Sequence, residues 1–370
     1  MKQRLQYFDM MKGLAIYLVV MGHVIAMGVR EIDHTFLFKA IGCVHMPLFF
    51  FISGWFSFRT DKVTIDLRLP SLWKRFLQLM VPLAVVPTLW VWYFPHSGIE
   101  SPLDGNLADL WCNPMKKGFW FTLCLFEISL LFTAVFPLLK RWKGVWADVG
   151  ISAVVWVALC AADYATGPDS RAANILGMGK LASFWLPFMA GFIASRHREG
   201  FLKATASGTW VTVAIAVAVP TLYFCCYPWE FEWLTNALPG VKYLVAGLLH
   251  ISLAVIAIAV VRPWSERAFS PDATRFTATV AGVWTLLGRK SLAIYLLHYF
   301  FLFPMGICRE TLLGFNVGFV PMTVFSFVTA GCIIGIVLIA DALISKSPLL
   351  ALLLTGDVPK SLVAPRKAAA

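Results

Sequence analysis

Lys12 and His23 lie in an apolar run that opens at Phe8, and an ionisable side chain in such a run marks chemistry by default, because burying its charge is costly. They are eleven residues apart. At about 100° per residue that spacing is three turns plus roughly 20°, so on a helix both side chains leave the same face. The rise between them is about 16.5 Å, roughly half the hydrocarbon thickness, which lets one lie near a membrane surface and the other inside. A neutral imidazole beside a hydroxyl is a general base, and an ammonium at the mouth of the same path suits an anionic, phosphate-bearing ligand. His45, Glu127 and His298 are further ionisable groups in apolar runs. A carboxylate such as Glu127 can hold an imidazole's tautomer and raise its basicity. A metal site is not expected, because the close helical histidine pairs that would hold an ion are missing.

The elements that must position these groups are membrane helices. The chain is 59% hydrophobic and 14% charged, with a mean hydropathy of +0.76, which excludes a soluble domain. Ten apolar segments are long enough, or nearly so, to span: 10–29, 36–58, 76–94, 118–139, 148–165, 181–195, 208–227, 241–261, 287–307 and 317–343. The sixth is the shortest. The first run is about 20 residues, carries His23 and lacks a small-x-small site, so it is expected to stay as the first span and not be cleaved. With the N-terminus cytoplasmic, 22 of the 31 lysines and arginines fall inside and seven outside, with Lys12 and Lys39 within spans. The positive-inside rule then places both termini in the cytoplasm. The net charge of +11 is thus a matter of orientation, and nucleic acid is excluded as a partner. The eight cysteines form no CxxC pair and indicate neither zinc nor a disulfide framework. The expected fold is an all-α, polytopic transmembrane bundle of about ten spans. It forms one membrane domain over 1–345, with a short cytoplasmic tail over 346–370 that frays beyond Pro348.

On this topology His23, His45, Glu127 and His298 all come out roughly 10–14 Å below the outer surface, although their helices run in different directions. A bundle that turns these faces inward would gather three imidazoles and a carboxylate in one cavity. Lys12, Lys74, Arg75, Arg289 and Lys290 instead mark the inner ends of spans 1, 3 and 9. Topology alone explains most of them. Lys12 differs by lying within its span on the His23 face, with Asp9 three residues earlier as a partner. In span 9, Ser291, Tyr295 and His298 at i, i+4 and i+7 form one polar stripe, and Trp120 shares a face with Glu127 in span 4. Pro47 and Gly54 interrupt span 2.

The chain resembles the acyltransferase-3 family of integral membrane acyltransferases over nearly its whole length. The resemblance rests on the basic-x10-His signature of Lys12 and His23, on Val44 to Gly54 with His45-Met46-Pro47, on Lys74-Arg75 with Pro82, on Gly118-Phe119-Trp120-Phe121, and on Leu287 to Tyr299. It implies transfer of an acyl group, often acetyl, from cytoplasmic acyl-CoA to sugar hydroxyls of surface polysaccharides or lipid-linked glycans, in a bacterial cytoplasmic membrane. No bound cofactor is implied; acyl-CoA is a co-substrate. On this reading His23 is the general base, with Glu127, His45 or His298 as its orienter. Lys12 and Arg75, with Lys74 and Arg289, contact CoA phosphates, while Trp120, Ser291 and Tyr295 hold the acceptor. Two positions depart from the family pattern: Lys12 stands where many members have arginine, losing the bidentate fork, and Gln78 replaces the second arginine of an R-x-x-R pair. The rival reading is a glycan or lipid translocator, for which the polar layer would be a pathway.

The topology makes a direct prediction. A C-terminal tag should be inaccessible from outside intact cells and a tag in the 95–117 loop accessible; exposure of both from one side would mean an odd number of spans or a span wrongly assigned.

Overall fold

The apolar runs fold as helices, and there is no strand among the described residues. The computed structural model describes residues 5–28, 33–58, 68–97, 107–116, 118–167, 170–302, 318–359 and 362. The expected loop charges at Lys2, Arg4, Arg30, Glu31, Arg59, Lys62, Glu100, Asp104, Lys117, Asp169, Arg309, Lys360, Arg366 and Lys367 lie outside the described residues, as do the ends of spans 1, 9 and 10. The long helices are α1 (Gln6–Gly28), α2 (Phe36–Trp55), α3 (Arg68–Ser97), α4 (Trp120–Arg141), α5 (Val145–Thr166), α6 (Met178–Arg196), α7 (Gly208–Cys226) and α8 (Val241–Ala268), then α9 (Arg275–Arg289), α10 (Ser291–Leu297) and α11 (Phe319–Ile344). Among the described residues nine helices are long and apolar enough to cross a membrane, ten if α9 and α10, which are bent by 61° at their junction, count as one broken span. The short sixth run is completed by the helix Arg171–Leu176 before it, which Ser170 caps by accepting from the Ala173 N–H at 3.0 Å.

Helix directions follow from paired contacts. Lys12 and Ser291 line one cavity while His23 and His298 are hydrogen-bonded, so α1 and α10 run the same way. Phe50 stacks on Phe184 and Phe58 meets Phe192, so α2 and α6 also run the same way. First and ninth crossings, and second and sixth, should be parallel in a ten-span chain.

α1 is the central helix, packed on α2, α8, α9, α10 and α11. Two crossings are closer than ordinary side chains allow. A methyl group on Gly13 would overlap the Trp284 carbonyl, and one on Gly288 would overlap the Asp9 carbonyl, so α1 and α9 meet backbone to backbone. Gly54 and Gly191 do the same for α2 and α6, against the Phe188 and Phe51 carbonyls. Small residues are what let membrane helices approach, since lipid tails are as apolar as leucine and packing must drive association. This explains Gly54, which the sequence marked only as a break.

Buried charges tie helix ends. Asp148, fully buried, accepts from Arg196 Nη1 at 2.6 Å and pairs with His197 Nε2 at 3.1 Å, and the same arginine donates to the Leu139 carbonyl at 2.9 Å. This joins α4, α5 and α6. At the α9/α10 bend Lys290 pairs with Asp341 of α11 at 2.7 Å. The tail departs from expectation: instead of fraying at Pro348 it turns at Ala351–Thr355, burying Ala351, Leu352 and Thr355, and packs on α3 and α10. Gly356 then adopts a left-handed φ of 71° hard against the Gln78 carbonyl.

Gly191→Ala and Gly288→Ala should each destabilise the protein by about 1–3 kcal/mol or more, because backbone must move. Gly42→Ala and Gly282→Ala, which face open space, should be neutral. Thermal unfolding of the detergent-purified variants measures the contrast.

Candidate active site

His23 lies five residues from the end of α1 with a partner on each ring nitrogen. Its Nδ1 is 2.9 Å from His298 Nε2, and its Nε2 is 2.9 Å from the Tyr299 hydroxyl. The far nitrogen of His298, Nδ1, is 2.9 Å from the Ile294 carbonyl one turn back. That carbonyl can only accept, so the hydrogen-bond network assigns the His298 proton to Nδ1. Neutral His298 then offers a lone pair at Nε2, to which His23 donates Nδ1–H. His23 Nε2 is left as an acceptor for the Tyr299 O–H. One backbone carbonyl therefore fixes the tautomers of both imidazoles. It leaves the basic nitrogen of His23 on the side of Tyr299.

Tyr299 is held by the segment before α4. A methyl group on Gly118 would overlap the Tyr299 hydroxyl and ring, so only glycine admits the tyrosine here. Phe119 packs on the Tyr299 ring at 4.9 Å between centroids. The Gly118 carbonyl accepts from the Tyr295 hydroxyl at 2.8 Å, and the Phe121 N–H donates to that same hydroxyl at 3.2 Å. Three residues of the Gly118-Phe119-Trp120-Phe121 motif thus hold the two tyrosines of α10 and the turn after it.

Two cavities approach this layer from opposite ends of α1. The one at the His23 end, called the outer cavity after the expected topology, is about 770 Å³ and is lined by His23, Tyr299, Gly118, Trp120, Lys180 and Tyr243 among others. The inner, about 250 Å³, is lined by Lys12, Arg75, Gln78, Arg289, Ser291 and Tyr295 among others. Its charges are unequal. Asp9 pairs with Lys12 at 2.8 Å and approaches Arg289 at 3.7 Å, so one carboxylate faces two cations. Arg75 donates to Ser129 at 2.6 Å and reaches Ser57 at 3.5 Å, and among the described residues it has no carboxylate partner. The partition between the cavities is thin, since Tyr295 lines the inner one and its hydrogen bond is to Gly118, which lines the outer.

The profile of the acyltransferase-3 family, described as an acyltransferase domain, matches residues 5–341. The chain belongs to this family. It is also similar to Nodulation protein NolL of Sinorhizobium fredii, 35% identical over 147 residues, which is 36% of this chain and 38% of that protein. The chain therefore aligns with well under half of that relative's length. No solved structure gives a significant match.

The family motifs land unevenly on the site. Of the residues expected at the centre, the structure brings His23 and His298 together. His45 makes no hydrogen bond to either, being bonded through Nδ1 to the Ile41 carbonyl of its own helix, but it lies near enough to His23 for the two to interact electrostatically. Glu127 forms no hydrogen bond to any of the three histidines among the described residues, and its Oε2 is buried without a hydrogen-bond partner. Lys12, Arg75, Arg289, Ser291 and Tyr295 line the inner cavity, and Trp120 the outer. Lys74 is exposed on α3 and lines neither, while Lys290 is taken up by Asp341. The position of the missing second arginine, Gln78, does face the inner cavity. Tyr299, Lys180 and His250 were not singled out. His250, stacked on Phe184, lies nine residues into α8, so the depth rule applied to the other histidines would have found it.

If Gly118 serves only to admit Tyr299, Gly118→Ala and Tyr299→Phe should each lower acyl transfer by about tenfold. The double variant should be no slower than either single one. A double-mutant cycle on membranes with matched protein amounts checks this; independent, multiplying effects would separate the two residues.

Proposed function

We propose that this acyltransferase-family protein is an O-acyltransferase of a bacterial cytoplasmic membrane, moving an acyl group, acetyl above all, from cytoplasmic acyl-CoA to a hydroxyl of a surface glycan or lipid-linked sugar. The observation that carries this reading is the arrangement on one face of α1: an imidazole of fixed tautomer at the outer cavity, and a basic cavity about three turns below it.

The CoA phosphates bind at Arg75, Lys12 and Arg289, where cations outnumber carboxylates three to one. Arg75 is the strongest contact because its guanidinium is held only by two serine hydroxyls and can fork onto a phosphate. The acyl end points toward Tyr295, whose hydroxyl releases the Gly118 carbonyl to let the thioester carbonyl reach His23. The acceptor hydroxyl gives its proton to His23 Nε2, directly or through the Tyr299 hydroxyl, as its oxygen attacks the thioester carbon. The C–S bond then breaks, and the departing CoA thiolate recovers the proton from the imidazolium. His298 steadies that imidazolium by accepting its Nδ1–H, the task that a carboxylate performs in a hydrolase triad. Both termini are cytoplasmic in this scheme, so donor and acceptor approach from opposite sides of the bundle.

His23→Gln should lower transfer from acetyl-CoA by about 10²–10⁴ while the protein still accumulates. Lys12→Ala and Arg75→Ala should each weaken donor use by about 1.5–3 kcal/mol, seen chiefly in KM for acyl-CoA, and Lys12→Arg should be tolerated. The measurement is acyl transfer on membranes holding equal amounts of each variant, with mass spectrometry of the glycans. Near wild-type turnover in His23→Gln would sink the mechanism, and movement of acceptor across the bilayer without acyl-CoA would favour a translocator.

A further inference from the structure

The outer cavity carries more positive charge than a neutral sugar calls for. Lys180, half-buried, enters it from the first turn of α6, and Lys242, exposed at its rim, from the first turn of α8. Each ammonium lies on an aromatic ring, Lys180 Nζ at 4.1 Å from the Trp120 centroid and Lys242 Nζ at 4.7 Å from that of Tyr243. Ring faces hold a cation in place without neutralising it. The carboxylate in this wall is Asp163 at the end of α5, and it is engaged by the Tyr243 hydroxyl. Neither lysine forms an ion pair among the described residues. Two ammonium groups and one hydrogen-bonded carboxylate therefore face the space into which His23 Nε2 opens.

We infer that the ligand of this cavity is an acidic sugar, whose carboxylate or phosphate is held between Lys180 and Lys242 while a hydroxyl of the same molecule reaches His23. This rests on the reading of the outer cavity as the acceptor's site. A neutral sugar would leave the half-buried Lys180 without counter-charge; an acidic one supplies it and gains charge-assisted hydrogen bonds from both lysines. The rest of the wall suits a carbohydrate ring, with Trp120 and Phe184 as apolar surface and Asn174 and Ser183 as hydrogen-bonding groups. The volume of about 770 Å³ accepts one or two such rings. Fixing the acid at one end and the imidazole at the other would select which hydroxyl is acylated.

The test is a binding titration that needs no acyl transfer. The purified full chain in lipid nanodiscs is titrated with methyl β-D-glucuronide, glucose 6-phosphate and methyl β-D-glucoside, by calorimetry or thermal shift. At least one acid should bind about tenfold more tightly than the neutral glucoside, with the advantage shrinking as salt rises. Preference for the glucuronide alone identifies a carboxylate site, and for the phosphate alone a phosphate site. The double variant Lys180→Gln with Lys242→Gln should lose the preference, and Lys180→Arg with Lys242→Arg should keep it, which separates charge from folding. Equal binding of the glucoside, binding of neither acid, or a preference that survives the glutamine pair overturns the inference. A clear preference with no acyl transfer to any of the three sugars would retire the transferase mechanism and leave the acidic ligand standing.

Discussion

The backbone contact between Gly13 and Gly288 is the constraint on which the site depends. Each glycine sits in the groove of the other helix, so the relative height of α1 and α9 is set to within a fraction of a turn. His23 is ten residues beyond Gly13, and His298 ten residues beyond Gly288, on segments that run the same way. The bend at Lys290, two residues after that crossing, turns α10 along α1 and brings the two imidazoles together. Shift that crossing by one turn and the imidazoles miss each other by about 5.4 Å. The bend is itself pinned, by Lys290 on Asp341 and by Arg289 beside Asp9.

Polar groups in this bundle are satisfied by short, closed sets of partners. The His23 set ends on a carbonyl one turn back in its neighbour's helix, and the Asp148 set draws on three helix ends at once. Some features do not close: among the described residues Arg75 lacks an acid, and Glu127 Oε2 is one of several buried polar atoms without a hydrogen-bond partner. The first lines a cavity and fits the proposed donor site. For the second there is no role in the geometry around His23.

Much of this was legible because helices are local. The run lengths gave the crossings, and the eleven-residue spacing put Lys12 and His23 on one face, at the inner and outer cavities where the structure has them. Depth was legible too, but depth gives a height and not an azimuth. That is why, of four groups at one level, only His23 and His298 are joined by a hydrogen bond, with His45 nearby and bonded to its own helix. Tyr299 escaped notice because it follows His298 directly, and a ring wedged between two consecutive residues is a contact that no periodicity reports. Lys180 and Lys242 were counted as loop charges and are instead cavity walls, since a first-turn lysine reads the same in either place. The tail was taken for a frayed end on its position alone, whereas Leu352 and its neighbours had an apolar groove between α3 and α10 to fill.

The thinness of the Tyr295 partition has an electrical consequence. A membrane potential falls mainly across whatever low-dielectric material separates the two aqueous phases, and with water in both cavities that material here is the layer around Tyr295, Phe121 and Gly118. The whole drop, about 2.3 kcal/mol per elementary charge for each 100 mV, is then squeezed into a few ångströms beside His23. An imidazolium proton on one side of that layer and a thiolate on the other would feel nearly all of it. On the proposed mechanism the membrane potential would act directly on charge separation at this point in the bundle, through a capacitor whose dielectric is a tyrosine ring.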